Sequence, residues 1–249
     1  MREDIVAAQS ANVNTGIGLT IDPLVFGDYP EAVRGFRGSF TEEEKKLIKG
    51  RIDFVGINIY GGQNASASGG GGGGGGKGPG GFGDPGSSWV LREMPLWIKN
   101  RYETKETKLP IFITENGINA AGKTSPLDDW DERAVQASTF LRELAAGINE
   151  NGTNVVGYTM WSLLDTFEFH SYGNWGVVHV DFTSNNRTRT LKKSWTFFKR
   201  LTSTNVVPFV EAGSDPFPDD SGSSSAHLIS SSLFALTALI VINTTNIFP

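Results

Sequence analysis

The chain has no cysteine among its 249 residues, which excludes a disulfide framework and any thiolate-held metal site. Histidine is almost as scarce. His170, His179 and His227 are the three present, and they lie too far apart in sequence to match the ligand spacing of a metal cluster. Neither a metal nor a cofactor is expected. An excess of positive charge is missing too: 22 Lys and Arg against 27 Asp and Glu leave a formal charge of -5. That balance offers no electrostatic footprint for nucleic acid or for an acidic membrane surface. The opening stretch "MREDIVAAQSANVNTG" lacks the apolar core of a signal peptide. The most apolar segment, "HLISSSLFALTALIVI" from His227 to Ile242, is shorter than the ~20 residues of a membrane helix and is interrupted by serines.

What is abundant is glycine, 31 residues in all, much of it in "GGQNASASGGGGGGGGKGPGGFGDPGSS" (61–88). Such a low-complexity run reads as a flexible surface loop. It separates a first block, residues 1 to about 60, from a second that ends near residue 211. Residues 212–249 then read as a linker followed by the apolar tail. Small residues, a short polar spacer and a hydrophobic tail resemble a lipid-anchor attachment signal, which would attach the protein to a membrane. The polar "NTTNIFP" after Ile242 leaves a disordered tail with one sticky segment as the alternative. On either reading the tail lies outside the fold.

The first block reads as a helix-like segment, a proline-containing loop, a short helix and a strand. In "SFTEEEKKLIKG", Ser39 or Thr41 is a candidate cap, glutamates occupy the first turn, lysines the last, and Gly50 is the stop. "RIDFVGINIY" has the length and density of a buried strand. In the second block "PLWIKNRYETK" reads as a helix, "LPIFITEN" as a strand, "DWDERAVQASTFLRELAAGINENG" as a long amphipathic helix, "NVVGYTMWSLLD" as a strand and "TLKKSWTFFKRLTST" as a closing helix. Strands that are nearly continuously apolar and alternate with helices predict a parallel sheet covered by helices.

All three strands end in polar or aromatic residues: Asn58 and Tyr60, Glu115 and Asn116, Trp161 and Asp165. In a parallel sheet or barrel those ends converge on the face where active sites form. Glu115 is the carboxylate that directly terminates an apolar strand. It reads either as a catalytic acid or as a turn residue before Asn116-Gly117, with Gly117 supplying a positive φ. Beyond the third strand, "MWSLLDTFEFHSYGNWG" crowds aromatic rings and acids into one stretch. Flat rings beside carboxylates suit a sugar, whose C–H face stacks while its hydroxyls donate. The alternative is a hydrophobic plug over the sheet.

At this point the segments "DPLVFGDYPEAV", "FTEEEKKLIKGRIDFVGINIY", "WIKNRY", "IFITENG", "WSLLDTFEF" and "RTLKKSWTFFKRL" resemble, in order, those of the family-1 glycoside hydrolases, which include β-glucosidases, lactase-like enzymes and plant myrosinases. The resemblance implies an α/β fold, the eight-stranded β/α (TIM) barrel, with residues 1–211 supplying about strands 6 to 8 and their helices. It implies hydrolysis of terminal β-glycosidic bonds by a retaining mechanism, with a small-molecule β-glycoside as substrate. Glu115 matches the family's nucleophile, which attacks the anomeric carbon to form a glycosyl-enzyme that water then hydrolyses. Tyr60 matches the tyrosine that hydrogen-bonds the nucleophile. Asn58 matches the asparagine beside it, Trp161 the tryptophan lining the glycone pocket, and Glu168 the acid that binds the sugar's distal hydroxyls.

Departures from the family pattern carry expectations of their own. Phe169 stands where the family has tryptophan, and Trp175 is placed at the aromatic position of a shortened "HSYGNWG". The family's acid/base sits in an Asn-Glu-Pro motif that does not occur here. The chain is therefore expected to begin after the fifth strand and, alone, to be unstable and hydrolytically inactive. A non-catalytic sugar-binding or receptor-like pseudoenzyme of the same family is the alternative. The sequons at Asn64, Asn151, Asn186 and Asn243 fit a secreted or extracellular glycoprotein.

Overall fold

The computed structural model describes residues 2–14, 16–62, 83–105 and 107–218. Residues 63–82 of the expected flexible loop and the apolar C-terminal tail lie outside them. The end of that loop is not flexible, since Pro85–Ser87 form a 3-10 turn capped by Asp84, with Ser87 and Ser88 buried. Four helices come first: α1 (Arg2–Asn14), α2 (Gly18–Phe26), α3 (Glu31–Arg37) and α4 (Glu42–Ile48). The sheet and its covering helices follow: β1 (Val55–Asn58), α5 (Val90–Tyr102), β2 (Ile111–Asn116), α6 (Val135–Asn151) and β3 (Val155–Met160). Two small hairpins, β4 (Thr166–Glu168) with β5 (Ser171–Gly173) and β6 (Val178–Val180) with β7 (Arg189–Leu191), precede α7 (Trp195–Thr204). Among the described residues no helix is long and apolar enough to cross a membrane.

Strands β1, β2 and β3 form one parallel sheet in that order, as the alternating pattern predicts. Ile111 and Ile113 of β2 are fully buried. They share one core with Leu91 and Ile98 of α5, Phe140, Leu141 and Leu144 of α6, and Phe197 of α7. Burying a side chain of this size contributes about 1.5–3 kcal/mol, and this core is what holds the three strands in register. Within β3, Gly157 leaves room for the Phe112 ring: a Cβ there would lie 2.2 Å from it.

Helix boundaries follow local chemistry. Thr41, not Ser39, caps α4: its Oγ1 accepts from the Glu44 N–H, and Glu44 Oε2 accepts from the Thr41 N–H at 2.8 Å, a reciprocal capping box. Gly152 ends α6 in the left-handed conformation (φ 61°). The proline-containing stretch is helical where a loop was expected. Pro23 costs α2 a backbone bond, but the helix runs only three residues further before Gly27 (φ 93°) stops it. Pro30, with φ -51°, suits the entry to α3. Buried Asp22 then ties α2 to α5, accepting from Tyr102 Oη at 2.7 Å and Arg101 Nε at 2.8 Å. The closing helix is shorter than its apolar pattern, because Thr190 and Leu191 are drawn into β7.

Candidate active site

The C-terminal ends of the three parallel strands meet, and the backbone explains how. Past the strand ends the ladder continues: Ile59 N–H donates to Glu115 O, and Trp161 N–H to Asn116 O, both at 2.8 Å. A register irregularity after Ile57 sets Asn58 opposite Glu115. Asn116 is fully buried and joins every element around it. Its Nδ2 donates to Ile59 O (2.8 Å), while its Oδ1 accepts from Tyr158 Oη (2.8 Å) and Gln136 Nε2 (3.2 Å). One side chain thus ties β1, β3 and α6 to the residue next to Glu115.

Gly117 is needed for space. It is absent from the glycines with positive φ, contrary to the turn reading, and a Cβ there would lie 1.9 Å from Trp161 O. The β2 and β3 ends approach too closely for any side chain.

Tyr60 Oη donates to Glu115 Oε2 at 2.6 Å, a short bond of the kind a carboxylate acceptor gives. Burial first, and then the bond to Glu115, push the Tyr60 phenol well above the ordinary tyrosine range, with Glu168 adding to the same effect. The phenol is held as a donor. The Trp175 ring meets Tyr60 edge to face, with centroids 5.9 Å apart at 77°. Trp175 folds over Gly173, where a Cβ would lie 2.5 Å from the indole. The Trp161 indole N–H donates to Glu168 Oε1 at 3.0 Å, so this acid is aimed by the ring beside it.

The structure thus brings Tyr60, Glu115, Trp161, Glu168 and Trp175 into one cluster at the strand ends. Asn58 sits at its edge, exposed, with Oδ1 accepting from Thr114 Oγ1 at 2.6 Å. Phe169 is not brought in. It opens the two-residue connection of the β4–β5 hairpin with φ 48° and is 89% exposed. A left-handed backbone is unusual for an aromatic residue, and here it turns the chain outward.

Asp165 was expected at the site as the acid ending the third strand, and the structure corrects this. It is buried, and it accepts from Lys192 Nζ (2.7 Å) and Gly176 N–H (3.0 Å) and bonds His179 Nδ1 (2.8 Å). Burial pulls the Lys192 ammonium below the ordinary lysine range, and Asp165 opposes that shift. The pair joins the residue that follows β7 to the segment after β3 and is spent internally. Two further buried residues, Arg133 and Asp129, escaped the sequence reading: Arg133 bonds mostly main-chain carbonyls, and Asp129 bonds Arg133 and the distant Ser194. Among the described residues no group of three or more His, Cys, Asp or Glu side chains is arranged to hold a metal ion.

Residues 85–207 match the model of glycosyl hydrolase family 1. This segment belongs to that family. Myrosinase 1 of Brevicoryne brassicae is 31% identical over 232 residues, covering 81% of this chain and 48% of its own length. Beta-glucosidase 40 of Arabidopsis thaliana is 34% identical over 216 residues, 74% of this chain and 41% of its own. The rice Os3BGlu6 β-glucosidase, solved as a mutant in a covalent complex with Glc from GA4GE, superposes with a TM-score of 0.63 at 30% identity. That match covers 81% of this chain and 48% of the rice protein. The chain spans about half the length of the relatives it matches, and its three-stranded sheet is an arc of the family 1 β/α barrel.

Proposed function

We propose that the chain carries the nucleophile side of a retaining β-glycosidase site acting on terminal β-glycosidic bonds, β-glucosides foremost. The observation that carries this reading is the 2.6 Å bond from Tyr60 to Glu115 at the C-terminal ends of parallel strands, beside the Trp161–Glu168 pair. Glu115 Oε1 or Oε2 attacks the anomeric carbon as the bond to the aglycone oxygen breaks, giving a glycosyl ester that water hydrolyses to release the sugar. The Tyr60 donor aims the carboxylate and stays protonated throughout. Glu168, held by the Trp161 indole, accepts from sugar hydroxyls, and Trp175 lines the sugar's apolar face.

A retaining enzyme also needs a second carboxylate about 5–5.5 Å from the nucleophile to protonate the leaving oxygen. With Glu168 committed to Trp161 and Asp165 to Lys192, the chain alone is proposed to be inactive on ordinary glycosides. The decisive experiment therefore uses dinitrophenyl 2-deoxy-2-fluoro-β-glucoside, whose leaving group departs without a proton. Labelling of the peptide containing Glu115, abolished in Glu115→Gln, is the expected result; labelling of another residue, or none, ends the nucleophile assignment. Sugar binding without any label favours the non-catalytic sugar-binding reading.

Passage through the secretory pathway is proposed on the sequons. Asn186 is exposed in a turn, whereas the Asn151 side chain accepts from Arg92 Nε at 3.0 Å. In a secretory host the chain is expected to lose mass on enzymatic deglycosylation, with the Asn186→Gln variant losing less.

A further inference from the structure

We propose that Arg133 is a positioning residue for the Glu115 site, setting the indole of Trp175 against the phenol that holds the nucleophile. The inference rests on the reading of Glu115 given above. Arg133 lies in a π-helical turn, Trp130–Ala134, that leads into α6, and it is 1% exposed. Its guanidinium is spent on four acceptors. Nε donates to Asp129 Oδ2 at 2.7 Å, and Nη1 to Ile118 O at 2.9 Å and to Trp175 O at 2.7 Å. Nη2 donates to Asn174 O.

Two of these acceptors are consecutive carbonyls of the segment that presents Trp175. A third, Ile118 O, belongs to the chain three residues beyond Glu115. One planar fork therefore grips the segment after the nucleophile and the segment bearing the aromatic wall. Ser162 N–H also donates to Trp175 O, at 2.9 Å, so the segment after β3 shares the grip. From there the path is contiguous: the Trp175 ring lies edge-on to Tyr60, and Tyr60 donates to Glu115.

The far side of the fork is anchored equally well. Asp129 is fully buried, and its carboxylate also accepts from Ser194 N–H (3.0 Å) and Ser194 Oγ (2.8 Å). The charge is thereby matched and the guanidinium held against the start of α7. A lysine would keep the charge opposite Asp129, but a point donor cannot serve carbonyls in a fork. The Asn174–Trp175 segment would then keep its bonds to Ser162, Asn119 and Ala120 but lose the fork that fixes its two carbonyls together, and the ring would shift against Tyr60.

The test uses the intact chain labelled with 5-fluorotryptophan. Its six tryptophans give separate ¹⁹F lines, and the Trp175 line is assigned with Trp175→Phe. In Arg133→Lys the Trp175 line is expected to shift or broaden while the others hold, and labelling of Glu115 by the dinitrophenyl fluoroglucoside to slow about 10- to 100-fold, the cost of a misplacement near 1 Å. In Arg133→Ala, millimolar guanidinium ion is expected to restore the Trp175 line. An unmoved Trp175 line with unchanged labelling in Arg133→Lys overturns the proposal. So does loss of all lines in both variants without guanidinium rescue, which would make Arg133 a purely structural side chain. If the unaltered chain takes no label while the ¹⁹F lines respond as described, the nucleophile assignment falls and the Arg133–Trp175 coupling stands.

Discussion

At the scale of single residues, the Tyr60–Glu115 bond makes two predictions. A hydrogen bond to a charged acceptor is worth about 1.5–3 kcal/mol, so Tyr60→Phe is expected to slow labelling of Glu115 by about 10- to 100-fold, measured by mass spectrometry over time. The second concerns pH. Burial holds the phenols of Tyr60, Tyr102 and Tyr158 above the ordinary tyrosine range, Asp22 adding at Tyr102 and Glu115 at Tyr60. Below ~10, where a free tyrosine keeps its proton, both folded and unfolded chains are protonated and stability is unaffected. As pH rises past that point the unfolded chain releases protons that the folded chain retains, so stability falls. A spectrophotometric titration is expected to leave several of the five tyrosines un-ionised until the chain unfolds in alkali. The place of Glu115 at the converging strand ends was legible in the sequence, because an apolar strand ending in a carboxylate is itself unusual. Arg133 was not, because three of its four acceptors are main-chain carbonyls, which any residue carries.

Elements were legible wherever a hydrophobic period ran long enough. Strands β1, β2 and β3 and helices α5 and α6 all showed themselves in that way. The β4–β5 hairpin did not: its strands are three residues long, too short for alternation to register, and its aromatics resembled a loop. Gly117 shows a different limit, since the sequence marks a special glycine without saying whether conformation or space requires it. The structure decides for space, and Gly117→Ala is expected to force β2 and β3 apart at the site. Asn116→Ala tests the same junction from inside. It would leave Ile59 O, Tyr158 Oη and Gln136 Nε2 without the partner they share. At about 1–3 kcal/mol for each buried polar group left unsatisfied, with water relieving some of it, a loss of about 2–4 kcal/mol in urea unfolding is expected. A loss under about 0.5 kcal/mol, the range of neutral surface changes, would mean the junction holds without Asn116.

At the scale of the whole molecule, the sheet is open on both sides among the described residues. β1 and β3 each pair only with β2 among the described strands, whereas a closed β/α barrel has eight strands and no edge. Beside the outer edge of β1 lies a cavity of about 400 Å³ lined by Ile17, Ile21, Leu24, Phe54 and Ile57. Phe54, just before the strand, is 57% exposed, and Val156 of β3 is 39% exposed. Unpaired backbone groups next to uncovered apolar side chains are a template for further strands. The purified chain is therefore expected to self-associate at micromolar concentration, and size-exclusion chromatography with light scattering measures this. Phe54→Lys places a charge beside the β1 edge and should move the elution toward monomer, with a change in unfolding free energy within about 0.5 kcal/mol for so exposed a site. Solubility and chemistry should separate in this variant. Removing self-association supplies no proton donor for the leaving oxygen, so turnover of an unactivated aryl β-glucoside should stay at background. A monomeric chain that hydrolysed such a substrate would show that a carboxylate among these residues reaches the leaving group, and the division of labour proposed for Glu115 and Glu168 would have to be redrawn.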